Sequence, residues 1–135
     1  MLKLQSSLLL AGVLAFSFAH AQDAAKMSRD AYKAEKDAIE AAYKAEKETC
    51  KSSTGNAKDV CEAQAKAKEE VAKAELDYKR SGTEKDRMNV AETKAKSDYD
   101  VAKEKCEDQA SDKQSACKKQ AKASEESALA AAKKH

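Results

Sequence analysis

The chain contains two copies of one unit marked by paired cysteines, and this duplication limits what it can fold into. Cys50 and Cys61 recur as Cys106 and Cys117, at a constant offset of 56 residues. A tyrosine precedes the first cysteine of each pair by seven residues, and turn-forming residues lie between the two cysteines. The chain therefore consists of two similar units, each with its own candidate cross-link.

A shorter repeat predicts that these units are helical. Residues 31–36, AYKAEK, recur as residues 42–47, a shift of eleven residues that equals three helical turns. Beyond residue 21, Ala, Lys, Glu, Arg and Leu account for 66 residues, and the chain has no proline. Such a composition is typical of long helices. Pairs of Glu and Lys at i,i+4, such as Glu75/Lys79, are expected to stabilise the helices.

Three groups of helix-breaking residues divide the chain. They lie at 51–56 and 108–111 within the units and at 81–83 between them. Helices are therefore expected over 28–51, 57–80, 84–108 and 112–134. Asn56, Thr83 and Ser111 are the predicted N-terminal caps of the last three helices.

The expected fold is all-α, with two disulfide-stapled αα-hairpins. The predicted domain organisation is a signal peptide over 1–21, a first hairpin over 22–80, a linker over 81–83 and a second hairpin over 84–135. The near-equal helix lengths leave two arrangements open, an up-down four-helix bundle and an extended coiled coil.

The predicted core is thin, because only thirteen large apolar side chains follow residue 21. They fall, with alanines, at helical spacing that is typical of a packing stripe. We therefore expect marginal tertiary stability and strong local helicity, and alanine stripes also leave a homodimer open. The predicted stripes comprise Tyr32, Ile39, Tyr43 and Cys50; Val60, Ala67, Val71, Ala74 and Tyr78; Met88, Ala91, Ala95, Tyr99, Ala102 and Cys106; and Leu129.

The four cysteines allow three pairings, and the repeat favours one of them. Each pair straddles a predicted turn, so Cys50–Cys61 and Cys106–Cys117 are the expected disulfides. Closing a loop of this length stabilises a fold by about 3 kcal/mol. A zinc site built from all four thiolates is an alternative, but the spacing differs from that of common zinc fingers. A redox-active C-x-x-C motif is absent from the sequence, and no metal ligands or cofactor are predicted.

The N-terminal segment has the features of a secretory signal peptide. Residues 1–21 start with a lysine-containing stretch, continue with an apolar run over 8–16 and end in the small-x-small pattern of Ala19 and Ala21. Cleavage is predicted between Ala21 and Gln22. The apolar run is too short for a permanent membrane span. We expect a periplasmic protein without membrane insertion after cleavage.

The residues beyond the predicted signal peptide argue against catalysis and nucleic-acid binding. Their only histidine is His135 and their only glycines are Gly55 and Gly82, so a His-based triad and a phosphate-binding loop are not expected. The 25 basic and 24 acidic residues are interleaved along the helices. Nucleic-acid binding usually requires a continuous basic stripe. We therefore expect a protein that is not an enzyme and does not bind nucleic acid.

Residues 43–50 and 56–67, with the motif GNAKDVC beginning at Gly55, resemble a group of small exported proteobacterial proteins. Some members are labelled TolA-like cell-envelope proteins. The resemblance covers residues 28–80 well, whereas the second unit departs from it around residues 111–117. It implies an exported protein of Gram-negative origin, and it supplies no catalytic or binding residues.

These features favour a non-enzymatic periplasmic helical protein that acts by surface interaction with an unknown protein partner or client. Its role would be that of a stress-response or chaperone-like binder or of an envelope adaptor. The candidate contact residues are the four tyrosines Tyr32, Tyr43, Tyr78 and Tyr99. One alternative is a hydrophilic protectant resembling late-embryogenesis proteins, which stay largely unfolded when hydrated. A less favoured alternative is a thiolate metal-binding protein, which would bind zinc only after reduction.

Overall fold

The structure is a computed structural model that describes residues 27–134, and this part of the chain forms four α-helices. They are α1 (Arg29–Cys50), α2 (Asn56–Ser81), α3 (Glu84–Cys106) and α4 (Ser111–Ala132). The all-α class and the two stapled hairpins are confirmed, and every helix boundary lies within two residues of its predicted position. The predicted signal peptide and His135 lie outside the described residues. None of the four helices combines the length and apolarity that a membrane span requires.

The connection between α2 and α3 is two residues long and follows its sequence signals closely. Gly82 adopts a left-handed conformation with φ of 62°, and its N–H donates to the Tyr78 carbonyl at 2.7 Å. Thr83 then caps α3, because its hydroxyl accepts from the Asp86 backbone N–H at 3.2 Å. The Thr83 cap is confirmed. The residues predicted as a linker thus form a tight turn between two packed helices.

The other two predicted caps are wrong. Asn56 is the first residue of α2, after Gly55, and its side-chain amide donates to the Glu104 carbonyl of α3 at 2.9 Å. Ser111 is likewise the first residue of α4, which has no side-chain cap. Gln114 donates instead to two carbonyls of the preceding turn, both at 3.1 Å. In both turns a disulfide joins the second helix to the first, and the Asn56 and Gln114 side chains bond to backbone carbonyls outside their own helix.

The four helices pack in chain order. Within residues 27–134, contacts join α1 to α2, α2 to α3 and α3 to α4, and no contact joins helices that do not follow each other. The helices follow the up-down order expected of a bundle, but α4 does not pack against α1, so the four helices do not form a closed bundle. We call this arrangement the open array, with α1 and α4 at its edges.

A ladder of ion pairs fixes the antiparallel register of α1 and α2. The disulfide Cys50–Cys61 joins the two helices at one end, and the ion pairs continue along them at nearly constant register. Because these pairs are largely exposed, each contributes little stability alone, but together they specify which residues face each other. The pairs are Glu46–Lys68 at 2.9 Å, Glu40–Lys73 at 3.9 Å and Glu35–Lys79 at 2.6 Å.

The buried residues are few and mostly small, in agreement with the thin core expected from composition. Leu76 is the one large aliphatic side chain among them, at 3% exposure. Ser97, also buried, donates to the Glu70 carboxylate at 3.3 Å. The ten buried residues are Cys50, Ala65, Ala74, Leu76, Ala95, Ser97, Cys106, Ala121, Glu125 and Ala132.

The predicted stripe of α2 is wrong at Tyr78. Its side chain is 38% exposed, whereas Leu76, which was not part of the stripe, is buried. Leu76 can be buried outside the predicted stripe because α2 packs against both α1 and α3. A helix with two neighbours has two buried faces, and a single stripe describes only one of them.

Candidate functional site

The cysteines form the two expected disulfides. Cys50 is bonded to Cys61 and Cys106 to Cys117, with a Cα–Cα distance of 5.6 Å in both pairs. The described part of the chain contains no free cysteine and no cluster of three or more potential metal-ligating side chains. The alternative zinc site would therefore require reduction of both disulfides first.

Tyr32 is held between α1 and α2. Its phenol donates to an Asp77 carboxylate oxygen at 2.6 Å, and the Arg80 guanidinium lies over its ring, 4.6 Å from the centroid. The hydrogen bond to Asp77 raises the pKa of the phenol above its ordinary value of 10.0. These contacts join the hairpin at the end opposite its disulfide, so Tyr32 has a structural role.

Tyr43 lines a small groove between α1 and α2. This α1/α2 groove has a volume of about 120 Å³ and is lined also by Ile39, Glu46 and Lys68. The ammonium group of Lys68 lies 2.9 Å from the Glu46 carboxylate, so this ion pair crosses the groove. The side chains of the chain itself therefore occupy most of the space beside Tyr43.

Tyr99, the counterpart of Tyr43 in the second unit, lines a much larger groove between α3 and α4. This α3/α4 groove has a volume of about 470 Å³, and its lining is mostly apolar, including Ala95, Ala102 and Ala121. One end is formed by the disulfide Cys106–Cys117. The volume lies in the range of small-molecule sites.

Two acidic residues line the α3/α4 groove from opposite sides. Asp98 on α3 and Glu125 on α4 each lie eight residues from the cysteine of their helix, so the antiparallel register places them at the same level. Glu125 is 8% exposed and accepts from the Lys122 ammonium at 2.7 Å, which raises the pKa of Lys122. Asp98 lies 3.5 Å from Lys94 in a pair that is largely exposed.

The two grooves occupy equivalent places in the repeat, and three substitutions account for their difference in volume. At the offset of 56 residues, a smaller residue in the second unit replaces each of three residues that fill the first groove. Sequence reasoning missed this site; aligning the two units residue by residue shows the three smaller side chains, but only the packed helices show the groove between them. The three pairs are Ile39 and Ala95, Glu46 and Ala102, and Lys68 and Ser124.

The remaining tyrosine is Tyr78. Among the described residues it is the one large hydrophobic residue that is exposed. It lies near the C-terminal end of α2, one turn before Gly82. The structure therefore separates the four candidate contact residues. Tyr32 and Tyr43 are engaged within the first hairpin, whereas Tyr99 borders an open groove and Tyr78 is exposed.

No protein-family model, curated protein or solved structure matches this chain. The resemblance to exported proteobacterial proteins stays a prediction.

Proposed function

We propose that this chain is an exported, non-enzymatic helical protein that acts through its surface, as a chaperone-like binder of other polypeptides in the periplasm. The open array is the observation that carries the proposal. Only ten described residues are buried, because each helix contacts only its neighbours in the chain. Domains normally cover apolar helix faces with a second layer. An array without such a layer leaves its helix faces available to a partner.

The disulfides support the assignment of the compartment. Such bonds persist in oxidising environments, including the bacterial periplasm, and are rare in the cytosol. Both hairpins carry one. Together with the predicted signal peptide, they favour export.

Tyr78 is the proposed main contact for a client. Tyrosine offers a large apolar surface at a small cost in side-chain entropy, which makes it common at binding surfaces. At 38% exposure the Tyr78 ring is accessible without rearrangement of the helices. Tyr32, by contrast, already uses its ring and hydroxyl within the hairpin.

The test is suppression of the heat-induced aggregation of a client enzyme, followed by light scattering. The oxidised protein should suppress aggregation, and Tyr78→Ala should reduce the effect while the helical circular dichroism signal stays unchanged. Tyr78→Phe, which keeps the ring, should retain activity. Tyr43→Ala is the matched control, because that ring lies beside a filled groove. Absence of suppression by the wild-type protein would refute the proposed function.

The eleven-residue repeat at residues 31–47 favours the protectant as a second candidate. A protectant that is largely unfolded in water should show little helical signal and no cooperative transition on heating. The proposed folded binder should instead show a cooperative transition, as expected for a cross-linked domain of this size. One thermal melt of the oxidised protein separates these two functions.

A further inference from the structure

We propose that the Cys106–Cys117 disulfide is a site of thiol–disulfide exchange with a small anionic thiol, which reaches the sulfur atoms through the α3/α4 groove. The Cys50–Cys61 disulfide serves only as a cross-link. This inference does not depend on the proposed binding of client polypeptides, because the site lies at the end of the second hairpin and does not include Tyr78.

The two disulfides differ in the space beside them. Both cysteines of the second disulfide line the α3/α4 groove, which has a volume of about 470 Å³. The α1/α2 groove has a volume of about 120 Å³, and neither Cys50 nor Cys61 lines it. In each disulfide the first cysteine is 1% exposed and the second is half-buried, so exposure alone does not distinguish the two bonds. The open groove gives a small molecule access to the second bond.

The two disulfides also differ in the charge around the half-buried cysteine. Within four residues of Cys117 there are three lysines and no acidic residue, whereas within four residues of Cys61 there are one lysine and two acidic residues. An attacking thiolate is an anion, so positive charge raises its local concentration and its rate of attack. The three lysines are Lys113, Lys118 and Lys119, at the positions of Ala57, Glu62 and Ala63 in the first unit.

The acidic residues of the second hairpin do not cancel this difference. Asp98 and Glu125 each lie eight residues from the cysteine of their helix, about 12 Å along the axis, which exceeds the Debye length of about 8 Å at physiological ionic strength. Glu107 is paired with Lys118 at 2.5 Å. Within four residues of either cysteine, the second disulfide has five lysines and three acidic residues, whereas the first has three lysines and four acidic residues.

The exchange step is a displacement at sulfur. The thiolate of the anionic thiol attacks Sγ of Cys117, the half-buried partner, and forms a mixed disulfide with it. The bond to Cys106 breaks, its electron pair stays on Sγ of Cys106, and this thiolate takes a proton from water. Lys105, which lines the groove beside Cys106, stabilises the departing thiolate. A second molecule of the thiol then displaces Cys117, so the protein disulfide is reduced and two thiols are oxidised to their own disulfide.

The exchange acts on an edge of the open array. Among the described residues, α4 contacts only α3, and the disulfide closes one end of this helix pair. Opening the bond allows α4 to separate from α3 at that end, which uncovers Tyr99 and the buried Ala95 and Ala121. The exchange site thus couples a thiol in the surroundings to the exposure of an apolar helix face.

The test compares the reduction rates of both disulfides in one molecule, with reduced glutathione as the anionic probe. Free cysteines of the initially oxidised protein are alkylated at successive times, and peptide mass spectrometry quantifies each alkylated cysteine and each glutathione adduct. The second disulfide should be reduced roughly tenfold faster than the first. The early glutathione adduct should be on Cys117.

Two control thiols test the selection by charge. The ratio of the two reduction rates should be smaller with 2-mercaptoethanol, which is neutral, and smallest with cysteamine, which is cationic. Because each ratio compares two bonds in the same molecule, differences in the intrinsic reactivity of the thiols cancel. High salt should lower the ratio for glutathione, since it screens the lysines.

Charge variants exchange the surroundings of the two half-buried cysteines. K113A/K118E/K119A gives the second disulfide the residues of the first, and it should lower the rate ratio for glutathione by roughly threefold or more. The reciprocal variant A57K/E62K/A63K should accelerate reduction of the first disulfide by glutathione. Both variants are expected to fold, because each residue already occurs at the equivalent repeat position, and far-UV circular dichroism checks this.

A groove variant tests the access separately from the charge. A95I/A102E/S124K fills the second groove with the side chains of the first, and it should lower the rate ratio for all three thiols. Equal reduction of the two disulfides by glutathione in the wild-type protein would overturn the proposal. The same conclusion follows if the adduct is on Cys106, or if the charge variant K113A/K118E/K119A keeps the full preference.

Discussion

Removal of either disulfide should lower the free energy of unfolding by about 3 kcal/mol. The perturbation is the double variant C106A/C117A, compared with C50A/C61A. Each disulfide joins cysteines with a sequence separation of 11. The entropy of closing a loop of that size in the unfolded chain corresponds to about 2.8 kcal/mol at 25 °C. Because the two loops are equal in length, the two losses should also be equal.

The sum of both losses is large for this fold. Loss of both cross-links should remove about 6 kcal/mol, which is similar to the total stability of many domains, about 5–15 kcal/mol. With Leu76 as the one buried large aliphatic residue of the described chain, the core offers little to compensate. The fully reduced protein should therefore unfold at much lower urea concentrations than the oxidised protein.

The assay is urea-induced unfolding of the wild type and both double variants, followed by far-UV circular dichroism. Linear extrapolation gives the free energy of unfolding of each protein. A loss below about 1 kcal/mol in either variant would refute the reasoning from loop closure. Losses that differ by more than twofold would refute it as well, and would indicate that native packing around the buried sulfur atoms of Cys50 and Cys106 sets the effect.

Three further predictions follow from individual side chains. Leu76→Ala should lower the free energy of unfolding by about 3 kcal/mol, because it leaves a cavity at a buried site. Leu129 is half-buried, so Leu129→Ala should lower the free energy of unfolding by less than half as much. Urea-induced unfolding of both variants measures the difference. Thr83→Ala should lower the free energy of unfolding by about 1 kcal/mol, because it removes the α3 cap. Ser111→Ala should leave the free energy of unfolding nearly unchanged, because Ser111 caps no helix. Tyr32 should ionise above pH 10, so the stability that it contributes is complete below pH 10 and is lost as the pH rises through its raised folded-state pKa. The difference in tyrosinate absorbance between the wild type and Tyr32→Phe measures this titration, and a Tyr32 pKa at or below 10 would contradict the hydrogen bond.

The parts of the fold that could be predicted from the sequence are those set by local signals. The turn at Gly82 and Thr83 is an example, because a left-handed glycine and a capping threonine act within a few residues. The disulfide pairing was also predictable, since the repeat places one turn between each pair of cysteines.

The contacts between helices could not be predicted in the same way. Lys79 was expected to pair with Glu75 within α2, but it reaches Glu35 on α1 at 2.6 Å. An exposed lysine has partners along its own helix and on its neighbour, and only the register between helices selects one of them. The α3/α4 groove was missed for the same reason, because Ala95 and Ser124 are ordinary helix residues until α3 and α4 are placed side by side.

The open array also has a consequence for how the chain folds and how long it can become. All helix–helix contacts of the described residues join helices that follow each other in the chain. Such low contact order is typical of proteins that fold fast, within microseconds to milliseconds. Because no closing contact between first and last helix limits the number of units, a third hairpin fused after α4 should dock on that edge as α3 docks on α2. The array should then gain stability with each added unit, as linear repeat proteins do.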